Sequence, residues 1–388
     1  MFNLPKNVSL QELDDCIQEV NSNDDDMVVP VFYQRGDLCE LSRVFQLIFT
    51  WAGRDYQKDV FVPDEENARG RFQNFAKTIL GTILLNFCRR AVFEKGELLS
   101  RRMALEMSEE FVRGVFSSKF DSINNDSSIV IINIDNSKEL KNHPLLYNEK
   151  GHVRGRKHFQ YLVGEVISRI CPDVDPLIRE NIDPISVFVH EAFLNTEEHA
   201  KTDFYGRKLK RSVRGIVFDY KDKSIDDVKD EVVGIPRLKD YFSSWSSKGE
   251  GKDRVKYLEV SVFDAGPGIV QTLAPKEYLG SENDFGKLPI GDHYKIIKKS
   301  LEFGFTSKDN ASRGMGLPTL LRALKSVGGV LMIRTGNLNL IKCFPVGNDW
   351  DVERNDTVME DIREKASLKR SPSAVGTVVS ALIPLNKG

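Results

Sequence analysis

The chain is 388 residues long, enough for two units that each bury their own core. Its 55 Lys and Arg balance 57 Asp and Glu, which excludes the strong positive field of a general nucleic-acid binder and leaves only local basic patches. Apolar residues make up 40%, ordinary for a globular protein, and the longest apolar stretch, TILGTILLNF (78–87), is too short to span a bilayer.

The cysteines, Cys16, Cys39, Cys88, Cys171 and Cys343, are scattered, odd in number and at no metal-ligand spacing. Reduced, structural thiols are therefore expected. The N-terminal segment MFNLPKNVSLQELDD has neither the basic start nor the apolar run of a signal peptide. A cytoplasmic protein without a membrane span is the expectation.

Taken in chain order, MVVPVFY (27–33) follows an acidic turn and predicts a strand. RFQNFAKTILGTILLNFCRRAVF (71–93) has helical periodicity and no internal proline, so it predicts a helix; ELLSRRMALEMSEEFVRGV (97–115) predicts another with a charged outer face. SSIVIINIDN (127–136) is a β-branched run between polar turns and predicts a buried strand. These elements make an α/β unit of unassigned type over 1–150, with no catalytic motif. The polar, basic segment NEKGHVRGRKH (148–158) marks a boundary, and HFQYLVGEVISRI (158–170) opens the second unit, 151–388, with a helix.

Chemistry concentrates in that second unit. In HEAFLNTEEHA (190–200), Glu191, Asn195 and His199 are four apart, so they drift by about 40° per step and share one helix face. Val189, Phe193 and Ala200 fall near the opposite face and can pack on a sheet. The polar stripe suits either a solvated helix surface or a phosphate-and-metal site, in which Asn195 offers magnesium a neutral oxygen and Glu191 orients a nucleophile. KYLEVSVFDAGPGI (256–269) is a strand that stops at Asp264 and breaks into Gly266, Pro267 and Gly268. It reads either as a polar turn or as an aspartate that accepts a hydrogen bond from an exocyclic amine, with glycines letting backbone approach a flat ligand.

The third fragment is GFTSKDNASRGMGLPTL (304–320). Gly314 and Gly316 precede an apolar-periodic helix (317–328) with Pro318 in its first turn, and free amides at such a start form an anion site. Thr306, Ser307 and Lys308 lie upstream as donors for a terminal phosphate, or, for the lysine, as a solvated loop residue. Neither a P-loop nor a dinucleotide fingerprint is present. GGVLMIRTG (328–336) and VGTVVSALIPL (375–385) predict strands.

In this order the boxes resemble the GHKL superfamily, which includes gyrase, heat-shock chaperone and MutL ATPases, histidine kinases and anti-sigma factor kinases. HEAFLNTEEHA is similar to its first box, DAGPGI to the adenine box, RGMGL to the glycine box that ends the lid, and GTVVSALIPL to the last strand. The resemblance covers about 165–388. It implies a Bergerat-type α/β sandwich, a mixed, largely antiparallel sheet with helices on one face, behind the unassigned N-terminal α/β domain.

It also implies an ATP and magnesium site. Asn195 would hold the magnesium, Glu191 would be the general base and His199 would lie near the phosphates. Asp264 would read the adenine amine within a turn that includes Gly266, with Thr377 behind it and Gly268 beneath the base. Thr306, Ser307, Lys308, Gly314, Met315, Gly316 and Leu317 would surround the phosphates. The separation between Asn195 and Asp264 is long for the family, which marks an insertion at about 201–254; a second insertion is set at about 337–374. The first holds the basic GRKLKRSVRG and a loop, SSWSSKGEGKD; the second holds a helix candidate, VMEDIREKASLKR. Three functions fit: an ATPase whose lid closure acts on a protein partner, a second copy or the N-terminal unit; a histidine or serine protein kinase; and a non-hydrolysing, ATP-gated interaction module. His158 opens a helix without the acidic neighbour and proline of a phospho-acceptor segment.

Overall fold

The computed structural model describes residues 1–5, 8–29, 38–53, 56–64, 66–116, 127–135, 141–171, 176–203, 205–246, 254–274, 286–302, 316–344 and 357–385. Their strands form two sheets. The smaller runs β1 (Phe2–Asn3), β2 (Met27–Val28), β3 (Val60–Val62), β4 (Arg90–Phe93) and β5 (Leu98–Ser100) in that order. Its first four strands are parallel and β5 is antiparallel to β4. Parallel neighbours need crossover connections. These are supplied by α1 (Leu10–Ser22), α2 (Glu40–Ala52), and the pair α3 (Ala68–Ala76) and α4 (Ile79–Phe87).

The single helix expected over 71–93 is thus corrected to two helices and a strand. Thr78 leaves the helical region at φ −104° and ψ 161°, and its hydroxyl accepts the Gly81 N–H at 3.0 Å, which starts a new helix. The helix expected over 97–115 likewise divides, because Ser100 caps α5 (Arg101–Glu106) and ends β5, while α6 (Glu109–Phe116) follows separately.

The larger sheet runs β11 (Glu360–Asp361), β10 (Leu338–Cys343), β9 (Val330–Gly336), β12 (Ala374–Pro384), β8 (Arg254–Asp264), β7 (Val213–Ser224) and β6 (Ser128–Ile134). Every described pairing in it is antiparallel. The strand foreseen at 127–136 therefore joins this sheet, not the first-half sheet. The stretch set apart as an insertion at 201–254 supplies β7 together with α9 (Ile225–Glu231) and α10 (Pro236–Ser246). The helix candidate at 358–370 is corrected to the short strand β11 and a turn, since the Asp361 carboxylate accepts the Arg363 and Lys369 N–H groups, each at 3.0 Å.

Helices cover both faces of the large sheet, which corrects the expectation of one. All seven residues of β6 are buried, and alternate ones point to different cores. Ile129, Ile131, Ile216, Val260 and Ile333 face α7 (Arg156–Ile170), α8 (Pro176–His199) and the helix Gly316–Ser326. Val130, Ile132, Val217, Phe263 and Val378 face α1, α2 and α4. Further along that second face, α9 and α10 cover Tyr257, Met332 and Leu382. A strand apolar on both sides needs a layer on each. Phe263 meets Phe45 and Phe49 of α2 at ring centroid distances of 4.9 and 6.2 Å. Among the described residues no helix is long and apolar enough to cross a membrane, and all five cysteines are free thiols.

Between α1 and the second face lies a buried ion pair. Arg334 is 1% exposed, and its guanidinium meets Asp14 at 3.1 Å. Removing one member leaves an uncompensated charge in a dry interface. Asp14→Ala is expected to destabilise the fold by about 3–5 kcal/mol, and Asp14→Leu with Arg334→Met to recover most of that loss. Urea unfolding of wild type and the two variants measures both.

Candidate functional site

Helix α8 buries Phe188, Val189 and Phe193 in the core under the sheet. That fixes its rotation. Ala192, Asn195, Thr196 and His199, at spacings of three and four, then turn toward a pocket at the end of β8. Opposite them stand Asp264, Gly268, Thr377 and Leu317. The space between them, open solvent at its mouth included, is about 550 Å³. Its floor is apolar, built from Val262 of β8 and Val379 of β12.

Asp264 is the last residue of β8 and only 6% exposed. Burial pushes its carboxyl up to about 7, while the Gly266 and Thr377 N–H groups and the Arg214 charge pull the other way. Gly266 N–H donates to Oδ1 at 2.8 Å. Thr377 is its register partner on β12, and Thr335 of β9 pairs with Thr377 on the other side. The two threonine hydroxyls are 3.2 Å apart, and Thr335 Oγ1 also accepts the Ile269 N–H at 3.0 Å, at the start of α11 (Ile269–Leu273). Gly268 has φ +91°, and a Cβ there would lie 2.8 Å from Thr335 Oγ1. Backbone without a side chain therefore lines this corner of the pocket.

Behind Asp264, on β7, Arg214 is its register partner and is 1% exposed. It bonds Asp135 through two nitrogens at 2.8 Å each, Glu197 at 2.7 Å and the Tyr147 hydroxyl at 2.8 Å. Glu197 lies on α8 two residues after Asn195, so the arginine ties the pocket's helix to its sheet. The sequence showed Arg214 only as one cation of a basic stretch. Its signal was position: an arginine at the start of a long apolar strand. Thr335 was equally legible in hindsight, as a polar residue one place before the glycine that ends a buried strand.

The structure brings Asn195, His199, Asp264, Gly268, Leu317 and Thr377 around one pocket, with Gly266 holding the aspartate. Asn195 Nδ2 is buried and has no hydrogen-bond partner among the described residues. Glu191 stands one helical turn before Asn195, its carboxylate 3.1 Å from His190 Nδ1. Gly316 opens α13 (Gly316–Ser326), a helix that follows α12 (Ile290–Ser300) and packs against α8. Thr306, Ser307, Lys308, Gly314 and Met315 lie outside the described residues.

These features define a mixed α/β protein whose antiparallel sheet carries a polar-rimmed pocket at one strand end. No family model, curated protein or solved structure matches the chain.

The buried carboxyl gives a pH test. Its ordinary value is 3.8 and its folded value about 7, so between these the folded protein keeps a proton that the unfolded chain releases. Asp264 therefore lowers stability progressively as pH rises from about 4 to about 7, and the full cost persists above. Asp264→Asn lacks this titration. Its Tm relative to wild type is expected to climb across that window and then level off, as thermal unfolding in a buffer series would record.

Proposed function

We propose that this chain is a magnesium-dependent ATP-binding protein of the GHKL type, and that it hydrolyses ATP. The observation that carries the reading is the convergence of Asn195, Asp264, Gly268, Leu317 and Thr377, drawn from sequence-remote boxes, on one pocket. What supports adenine is the buried Asp264. One carboxyl oxygen is held by Gly266, and the group can accept from an exocyclic amine, while Gly268 and the apolar floor suit a flat ring. What supports a triphosphate with its metal is Asn195. Its amide nitrogen, buried without a partner among the described residues, is a donor that a phosphate oxygen would satisfy.

The Asn195 carbonyl oxygen offers magnesium a neutral ligand, and the bound ion would supply charge neutralisation on the phosphates. Glu191, braced by His190, is assigned as the general base. It takes a proton from water as the water oxygen bonds to the terminal phosphorus and the bond to the leaving diphosphate oxygen breaks. ATP hydrolysis is preferred over self-phosphorylation because the helical segment at His158 lacks the acidic neighbour and proline of a phospho-acceptor segment. A protein partner or a second copy would receive the conformational change.

Calorimetry and phosphate release on the purified chain test this. Wild type is expected to bind Mg–ATP and release phosphate slowly. Glu191→Ala should still bind but lose phosphate release by about 100-fold or more, the share of a positioned general base. Label appearing on a protein instead of free phosphate would identify a kinase, and binding with neither would identify an interaction module. No binding heat and no thermal protection at saturating Mg–ATP would overturn the assignment. A second expectation concerns the metal: Asn195→Ala should abolish the magnesium dependence of binding. Unchanged turnover in that variant would remove Asn195 from the site.

A further inference from the structure

The segment that leads into β12 is held almost entirely by side chains from elsewhere. Arg334 donates to Pro372 O at 2.6 Å, and Asn21 of α1 to Ser373 O at 2.8 Å. Thr50 Oγ1 of α2 accepts the Val375 N–H at 3.0 Å. Gln46 Nε2 donates to Gly376 O at 3.3 Å and to Arg334 O at 3.2 Å. Gln46 and Thr50 are one turn apart on α2, joined by a 2.8 Å bond from Thr50 Oγ1 to Gln46 O. Both are buried, and both belong to the first half of the chain.

The held segment is a β-bulge. The register of β12 against β9 shifts between Ala374 and Thr377. A bulge takes backbone groups out of the ladder, and buried ones need other partners. Gly376 sits at φ +78°, and a Cβ there would come 1.9 Å from the Asp264 carbonyl oxygen. The residues on either side of the Gln46 amide matter for the pocket. Gly376 immediately precedes Thr377, which lines the pocket, and Arg334 precedes Thr335, whose hydroxyl lies 3.2 Å from that of Thr377.

We propose that Gln46 and Thr50 are positioning residues for the Asp264 end of the pocket: by clamping the bulge they set where Thr377 and Thr335 stand, and so couple the seating of α2 to recognition of the base. The inference rests on the reading of the pocket as an adenine-nucleotide site. Coupling of this kind is reciprocal. A nucleotide that holds Thr377 in place also holds α2, which gives the first half a direct mechanical connection to the ligand. Neither residue lines the pocket.

The test uses the full chain and non-hydrolysable Mg–ATP and Mg–GTP analogues, with wild type, Thr50→Val, Thr50→Ser and Gln46→Met compared by calorimetry. Thr50→Val and Gln46→Met keep shape and remove the polar contacts. Both are expected to lower the ratio of ATP-analogue to GTP-analogue affinity by about ten-fold, within the usual range for coupled sites. Thr50→Ser keeps the hydroxyl and should keep the wild-type ratio. Amide exchange at Val375–Thr377 should rise in the first two variants and not in Thr50→Ser. Melting curves establish that each variant is folded, and if Gln46→Met is not, the Thr50 pair decides. Folded Thr50→Val with wild-type selectivity and exchange overturns the proposal, as does Thr50→Ser behaving like Thr50→Val. Failure of wild type to bind either analogue overturns the pocket reading itself and the inference with it; the wild-type arm separates the two failures.

Discussion

Burial of both faces of the seven-stranded sheet governs where everything else in this chain can go. Its central strands β8 and β12 are buried along nearly their whole length. One face takes α7, α8 and the helix Gly316–Ser326, and the ends of the strands beneath them form the pocket. The other face would be a large exposed apolar surface if left bare, which a stable soluble fold avoids. The first half covers part of it with α1 and α2, and α9 and α10 cover the rest. The pocket and the first half therefore share one sheet, back to back.

Asp264 shows what that position demands. A carboxyl at a central strand end, roofed by α8, loses most of its hydration, and desolvation dominates its proton affinity. Two backbone N–H groups and the Arg214 charge offset the loss without cancelling it. Arg214 is not free to drift closer, because Asp135, Glu197 and Tyr147 hold it. The result is a largely buried acceptor fixed at the strand end. A donor arriving from outside gains more there than it would from a solvated aspartate, since desolvated polar groups interact more strongly.

The parts legible in the sequence were those fixed by local pattern. The strand ending at Asp264, the helix carrying Asn195 and the last strand through Thr377 each have a clear period and a clear stop, and the structure contains each. Boundaries failed where a single capping residue outweighed periodicity. Thr78 and Ser100 each start a helix through a side-chain acceptor, inside runs whose apolar spacing continued past them. Segment 358–370 had good helix formers, but the buried Asp361 carboxylate gathers its N–H groups into a turn instead. Sheet membership was not legible at all. The period of SIVIINI says that a strand is buried on both faces, and nothing in it says which sheet it joins; its pairing with β7 is decided by contacts far away in the chain. The same limit hid the bonds that Gln46 and Thr50 make between α2 and the sheet.

The interface between the first half and the sheet is unusually polar for something so buried. Besides Arg334 and Asp14, it contains Arg43, which bonds Asn339, and Glu259, which accepts the Cys39 N–H at 2.9 Å from the start of α2. Burial pushes the Glu259 carboxyl upward, and Lys221, itself paired with Asp219 at 3.0 Å, partly compensates. Such groups add little net stability, because desolvation takes back most of the Coulomb gain. What they do impose is register. An apolar helix can slide or rotate on an apolar sheet at small cost, whereas α2 shifted along its axis would break the Cys39–Glu259, Arg43–Asn339, Gln46–Arg334 and Gln46–Gly376 hydrogen bonds at once. Helix α2 is thereby restricted to one seat on the sheet, and that seat is the one in which Gln46 reaches Gly376 and Thr50 reaches Val375.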